Sequence, residues 1–349
     1  GKKLSLYDYP LPREYIAQHP LPKRDASRLM ILHRDSEKLE HRHFLNLPEY
    51  LREGDSLVLN NSRVVPARLV GKRSTGGRVK LLMIEEVEAS TGRWRVLLET
   101  RGIPQEGEEL DIEGGNLKGR LISRTSSGQW VIQLGLQGDL REVLERVGRM
   151  PLPPYIKRPS ERDPYLSQDR ERYQSVIATQ PGSIAAPTAC LHFTKELLRE
   201  VSQRGVEIIL LTLHVGLGTF IPIKTPDITQ HAMEKEYYEL GPAAVRRLNE
   251  TKRRGGRIIA VGSTSLRVLE TAASRGELSP SSGWTNLFIY PPYEFKLVDA
   301  LLTNFHLPRS TLLVLVSAFA GRERILKAYS VARKEGYRFY SYGDAMLIL

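Results

Sequence analysis

The chain has 349 residues, 41% hydrophobic and 26% charged, the composition of an ordinary globular protein long enough for two domains and not of a mainly disordered one. Its 51 Lys and Arg exceed its 40 Asp and Glu, and the formal charge of +11 favours a polyanionic partner through the long-range field and counterion release. The single cysteine, Cys190, excludes an intrachain disulfide, a thiolate-cage zinc site and an iron–sulfur cluster held by several cysteines of one chain.

Gly1 to Pro10 carries basic residues with no apolar stretch behind them, unlike a secretory signal. The longest apolar run, Leu312 to Ala320, is far below the ~20 residues that span a bilayer. A cytoplasmic location without membrane contact is therefore expected. His41 and His43 share a strand face and read as a solvated edge before a ligand pair; no His-Glu-x-x-His pattern occurs, and no metal site is expected. Asn60-Asn61-Ser62-Arg63 then closes an apolar run with a polar density that points to a site, although either asparagine also suits a turn.

From Arg68 to Leu134 short alternating segments follow: Arg68 to Arg73, Arg78 to Val87, Arg93 to Thr100, Glu108 to Ile112, Leu117 to Ser123 and Gln129 to Leu134. Six short strands at this spacing predict a small closed barrel, because closure removes exposed edges. Thr75-Gly-Gly and Glu113-Gly-Gly-Asn are its hairpin signals. Met150-Pro-Leu-Pro-Pro-Tyr-Ile-Lys-Arg-Pro reads as a stiff extended connector whose Tyr155, Lys157 and Arg158 could touch RNA or substrate.

Beyond Ser183 the rhythm is strand, loop, helix. Helices are predicted at Thr194 to Arg204, Pro242 to Arg254, Leu266 to Ser274 and Ser310 to Ala320, with strands at Val206 to Leu213, Arg257 to Val261, Asn286 to Tyr290 and Leu297 to Leu302. The expected architecture is an α/β body (mixed sheet or barrel-like), discontinuous over 1–66 and 149–349, with a small all-β barrel inserted at 67–148.

Three segments end apolar runs in the same way, with Thr and His beside Gly, Pro or Ala: Ala185 to Phe193, Thr212 to Phe220 and Thr303 to Pro308. Strand ends of this kind converge on clefts. His192, His214 and His306, if brought together there, would suit proton transfer. Gly216-x-Gly218 lacks the third glycine of a dinucleotide fingerprint but lets a backbone lie near a ligand, with Thr212 and Thr219 as donors. Gly262-Ser-Thr-Ser-Leu-Arg267 offers amides, hydroxyls and a guanidinium to a carboxylate; the plainer alternative is capping, with Arg267 paired to Glu270. Cys190 reads as a small buried residue in preference to a nucleophile. Three basic clusters, around Arg63 to Lys80, Arg146 to Arg162 and Arg246 to Arg257, make nucleic acid the leading partner.

These segments resemble the S-adenosylmethionine:tRNA ribosyltransferase-isomerase family nearly end to end. The resemblance lies in Asp25-Ala-Ser-Arg-Leu, Asn60 to Arg68, Met150 to Tyr155, Tyr173-Gln174, Ala185 to Ala189, Leu191-His-Phe193, His214 to Phe220, Thr264-Ser265 with Arg267, Thr303 to Pro308 and Tyr342-Gly-Asp-Ala-Met346. It implies transfer of the ribosyl part of S-adenosylmethionine to the aminomethyl group of a 7-deazaguanine at the tRNA wobble position. The sugar is isomerised to give epoxyqueuosine, and adenine and methionine are released. S-adenosylmethionine is then a co-substrate, with no prosthetic group, and the tRNA bearing the precursor is the partner. The oligomeric state is not set by the sequence, a monomer being favoured.

On this resemblance His192, His214, His306 and Glu236 are candidates for the proton transfers, in no assigned order. Asn60, Asn61, Arg63, Thr188, Thr212, Gly216, Gly218, Thr219, Thr264, Ser265, Arg267, Thr303 and Asn304 are candidates for binding donor or substrate. Arg68, Lys72, Arg73, Tyr155, Lys157 and Arg158 are candidates for the tRNA. The chain departs from the family pattern at Cys190, where a glycine is usual and a side chain could narrow the pocket, and at Glu234, where a second histidine usually follows His231-x-Met233. Two competing readings are weaker. A non-catalytic RNA binder would need basic and aromatic surface in place of grouped Thr, His and Asn. An acyl- or glycosyl-transferring enzyme with only a small-molecule substrate leaves the charge surplus unexplained.

Overall fold

The computed structural model describes residues 1–349 except 89, 114–116, 137, 160–161, 221 and 275–276, and the side chains of Thr219 and Phe220 also lie outside the description. The chain divides into two compact units. One comprises Gly1–Arg63, Pro153–Arg162 and Arg172–Leu349; the other comprises Val64–Leu152 and Asp163–Glu171.

Among the described residues the first unit carries strands β1 (Arg28–Leu32), β2 (Leu39–His43), β3 (Ser56–Asn60) and β4 (Ser62–Val64, reaching one residue beyond it). The second unit carries β5 (Arg68–Arg73), β6 (Arg78–Glu88), β7 (Arg93–Thr100), β8 (Glu109–Ile112), β9 (Leu117–Arg124) and β10 (Trp130–Gly135). The first unit resumes with β11 (Gln180–Ser183), β12 (Glu207–Leu213), β13 (Glu236–Leu240), β14 (Ile258–Val261), β15 (Ser281–Thr285), β16 (Ala300–Asn304) and β17 (Ala345–Ile348).

Nine of these form one mixed sheet in the order β15-β13-β12-β3-β14-β16-β17-β1-β2, and β4 pairs with β11 separately. The central strands β12, β3, β14 and β16 are mutually parallel. Their continuous apolar runs follow from burial on both faces. Leu57 and Leu59 of β3 and Ile259 and Val261 of β14 enter one core with Phe44, Phe193 and Leu197. Val58, Ile258 and Ala260, pointing the other way, enter a second core with Leu266, Leu269, Leu313 and Val316. Each fully buried side chain of this size contributes about 1.5–3 kcal/mol.

Parallel alignment puts the carboxyl ends of β3, β12, β14 and β16 side by side, so Asn60, Leu213, Val261 and Asn304 finish at one edge of the sheet. This is where open α/β sheets hold ligands. The helices Lys195–Gln203 and Thr311–Ala320 start where their caps predict, the Thr194 and Ser310 hydroxyls accepting the Leu197 and Leu313 amides at 3.0 and 3.2 Å.

Two expectations are corrected. The helix expected from Leu266 begins at Gly262, whose φ of +86° turns the chain directly out of β14. The strand expected at Asn286 to Tyr290 lies instead at Ser281–Thr285, where pairing to β13 outweighs local β-propensity. The helices Leu140–Val147 and Arg322–Lys334 and strand β17 are additions that the sequence reading lacked.

The second unit holds a closed antiparallel barrel, β10-β7-β6-β5-β8-β9, with strand ends within one residue of those expected. Leu69, Leu81, Val96, Leu110, Leu121 and Ile132 fill its interior. Gly71 lets β5 close on β8, because a Cβ there would lie 2.4 Å from the Asp111 carbonyl oxygen. The Thr75-Gly-Gly turn is present, whereas the Glu113-Gly-Gly-Asn signal falls on 114–116, outside the described residues. No helix among the described residues is long and apolar enough to cross a membrane.

Candidate active site

A solvent-open cleft of about 1280 Å³ lies within the first unit at the carboxyl edge of its sheet. Its most strongly charged feature comes from β13 and the helix Gly262–Ala273. Glu236 opens β13, 4% exposed; its Oε2 accepts a short hydrogen bond from Arg267 Nη1, and its Oε1 accepts the Gly216 amide at 2.9 Å. Arg267 Nε donates to the Leu287 carbonyl at 3.1 Å, while its buried Nη2 has no protein acceptor. The guanidinium is thus fixed by two partners and keeps N–H donors that no protein group takes.

The β16 end supplies a second group. Thr303 Oγ1 and His306 Nε2 lie 2.8 Å apart, and the His306 main chain is held at both ends by tyrosines: its amide donates to Tyr329 Oη at 3.0 Å, and its carbonyl accepts from Tyr9 Oη. Burial pushes the His306 pKa down to about 3, so the ring is neutral at physiological pH. The rings of Tyr155 and Tyr340, edge to face at 5.6 Å, also border the cleft.

Of the expected site residues, Glu236, His306, Thr188, Gly218, Thr264, Arg267, Thr303, Asn304 and Tyr155 line the cleft. Four are corrected. Asn60 is fully buried and saturated by protein: its Nδ2 donates to the Leu213 carbonyl and Thr264 Oγ1, and its Oδ1 accepts the Ser62 and Leu213 amides. Ser265 lies one turn inside a helix that starts early, so it faces the core and misses the cleft. His214 does not line the cleft either; its Nδ1 meets Ser62 Oγ at 2.8 Å, its ring stacks on Tyr237, and Gly182 presses on it so closely that a Cβ would come within 2.8 Å. His192 sits behind Asn304. Only one of the three histidines therefore borders this space.

Asn61, Arg63, Thr212 and Gly216 also do not line the cleft: Thr212 Oγ1 donates to Asn61 Oδ1 at 2.6 Å, Gly216 contributes its amide to Glu236, and Arg63 lies on β4. The Thr219 side chain is outside the described residues. Cys190 belongs to the core with Phe44 and Phe193, where burial raises its thiol pKa to about 12, and it does not narrow the cleft. Arg267 pairs with Glu236 and not with Glu270, whose carboxylate accepts the amides of Lys296, Leu297 and Val298.

His192 Nε2 donates to Asn304 Oδ1 at 2.8 Å, because Asn304 Nδ2 is already directed at the Tyr340 and Ser341 carbonyls; Nδ1 then accepts from Ser27 Oγ at 2.7 Å. Burial above all lowers its pKa from 6.5 to about 4. The folded state therefore binds fewer protons than the unfolded chain in this window, and the associated stability is complete above 6.5 and lost as pH falls toward 4. His192→Gln is expected to flatten the fall in melting temperature over that interval; an unchanged slope would refute the assignment.

Among residues expected to hold tRNA, Lys72, Lys157 and Tyr155 are exposed. Arg68 and Arg158 also make contacts within the protein. Arg73 is largely engaged within the protein: its guanidinium donates twice to Glu108, at 2.6 and 2.9 Å, and to the Arg101 and Ile103 carbonyls, leaving one Nη1 N–H. The cluster ending at Arg257 is likewise largely paired, through Asp55, Glu207, Glu250 and Asp299. Tyr173, Ser263, Met233, Tyr340 and Ser341 also line the cleft and were not among the expected site residues. Tyr173 had a signal in the resemblance; Tyr340, at φ +76°, had none. Among the described residues no cluster of His, Cys, Asp and Glu is arranged to hold a metal ion.

The family described as queuosine biosynthesis protein matches residues 4–348. The S-adenosylmethionine:tRNA ribosyltransferase-isomerase of Desulforamulus reducens is 50% identical over 99% of this chain and 100% of its own length. That of Symbiobacterium thermophilum is 51% identical with the same coverage. The crystal structure of S-adenosylmethionine tRNA ribosyltransferase from Thermotoga maritima is 40% identical, with 99% of this chain and 100% of that chain covered and a TM-score of 0.56. With its mixed sheet, six-stranded barrel and full-length match, the chain belongs to the queuosine biosynthesis protein family.

Proposed function

We propose that this chain transfers and isomerises the ribosyl moiety of S-adenosylmethionine onto the 7-aminomethyl-7-deazaguanine at the tRNA wobble position, releasing adenine and methionine and leaving epoxyqueuosine. The observation that carries the reading is that the Glu236–Arg267 pair and the Thr303–His306 pair line one cleft, in a chain about half identical to named ribosyltransferase-isomerases. A sulfonium centre acidifies its neighbouring C–H bonds, so a positioned base can take a proton while an acid protonates the departing adenine and the tRNA amine attacks. In this reading Glu236 and His306 carry these transfers, and Arg267 with Thr264, which line the same cleft, hold the methionine carboxylate.

In this reading the discontinuous body, 1–66 and 149–349, is the catalytic domain and 67–148 the inserted barrel. Lys72, Tyr155 and Lys157 contribute to tRNA binding, and the protein works in the cytoplasm as a monomer. Mixing protein, S-adenosylmethionine and precursor-bearing tRNA should release adenine in step with tRNA modification, and rising salt should weaken tRNA binding steeply. Absence of adenine with both substrates bound would end the proposal.

A further inference from the structure

A smaller, solvent-open pocket lies behind the cleft in the same unit and is walled by Arg24, Arg172 and Arg338 with Ser27, His192 and Ser341. Main-chain carbonyls orient the three guanidiniums. Arg172 Nη1 donates to Leu21 and Pro22 at 2.7 and 3.2 Å, Arg24 Nη1 donates to Leu191 at 3.1 Å, and Arg338 Nη2 donates to His19. For Arg172 and Arg338 these carbonyls fix direction without neutralising charge.

Neither Arg172 nor Arg338 has an ion-pair partner among the described residues. Asp344, whose charge reaches Arg338, spends its oxygens on the Arg28 and Arg338 amides at 2.8 and 2.7 Å. Two buried guanidinium nitrogens, Arg172 Nε and Arg338 Nη1, have no acceptor at all. Three guanidiniums lining one cavity call for an anionic occupant, and held guanidinium forks match phosphate oxygens. The imidazole in the wall fits the same field: besides burial, the charges of Arg24 and Arg338 keep His192 neutral.

We infer that this three-arginine cavity is a seat for a phosphate group, and that its source is the backbone of the bound RNA. The choice of source rests on the tRNA reading above; the phosphate chemistry does not. A phosphate held there would be one hydrogen bond from the cleft, since His192 in the cavity wall bonds Asn304 in the cleft wall, and Ser341 borders both.

The test measures binding, so it is independent of whether ribosyl transfer occurs. Inorganic phosphate at low salt should raise the melting temperature of the wild type and not that of Arg172→Gln. Across a salt series, tRNA should bind Arg172→Gln about tenfold more weakly, with a salt slope smaller by about one, and Arg172→Lys should recover the slope. Lost tRNA affinity assigns the seat to an RNA phosphate. Loss of the phosphate effect alone keeps the seat but overturns the RNA source in favour of a free phosphate ligand. Identical behaviour of wild type and variant in both measurements overturns the inference. If Arg172→Gln does not fold, Arg24→Gln is read in the same way.

Discussion

Glu236→Gln is expected to lower the rate of adenine release at saturating donor and tRNA by roughly 10²–10⁴-fold, the range set by loss of a positioned proton-transfer group. Gln keeps the shape and can still accept the Gly216 amide, so the loss falls on charge and proton affinity. Breaking one side of a buried ion pair also leaves the Arg267 guanidinium uncompensated, at a cost of about 3–5 kcal/mol. The freed guanidinium should then hold a donor carboxylate at least as well as before, so kcat falls while KM for the donor does not rise. Arg267→Ala should do the reverse, weakening donor binding. Replacing both, as Glu236→Gln with Arg267→Met, should return stability without activity, and a double-mutant cycle separates the two contributions. Near-normal kcat in a folded Glu236→Gln protein would remove Glu236 from the chemistry.

The position of the cleft was legible in the sequence because parallel strands that are buried on both faces read as continuous apolar runs, and polar clusters at their ends mark one sheet edge. The barrel was legible because each of its strands alternates and is bounded by turn residues. What sequence could not supply was which way each strand-end side chain points. His192, His214 and His306 share one local grammar, yet the ring of His192 is taken by Ser27 and Asn304, 165 and 112 positions away, and that of His214 by Ser62, 152 positions away. Arg73 reads as exposed surface until Glu108, 35 positions on, closes over it. Gly262 illustrates the opposite difficulty: a glycine before Ser-Thr-Ser reads as a turn, and only its positive φ beside Ala189 reveals a helix start.

His306→Ala should lose adenine release by roughly 10²–10⁴-fold as well, but for a different reason. Its ring stays neutral, because burial holds its pKa at about 3. The cleft already contains the Arg267 guanidinium and would receive a cationic donor, so a charged imidazole would add a further positive charge in poorly solvated surroundings. A neutral ring avoids this by passing a proton between its two nitrogens, with the Thr303 hydroxyl at Nε2 and Nδ1 left for the ligand. His306→Gln, which can retain the bond to Thr303, and His306→Asn, which can retain a polar atom near Nδ1, should both remain as impaired as Ala if a proton moves through the ring. Recovery in the Asn variant would mean that the ring only holds the ligand. The neutral assignment also fixes a sign: in the wild type His306 produces no fall in kcat as pH drops through 6.5. An acidic limb near 6.5 that disappears in His306→Gln would overturn it.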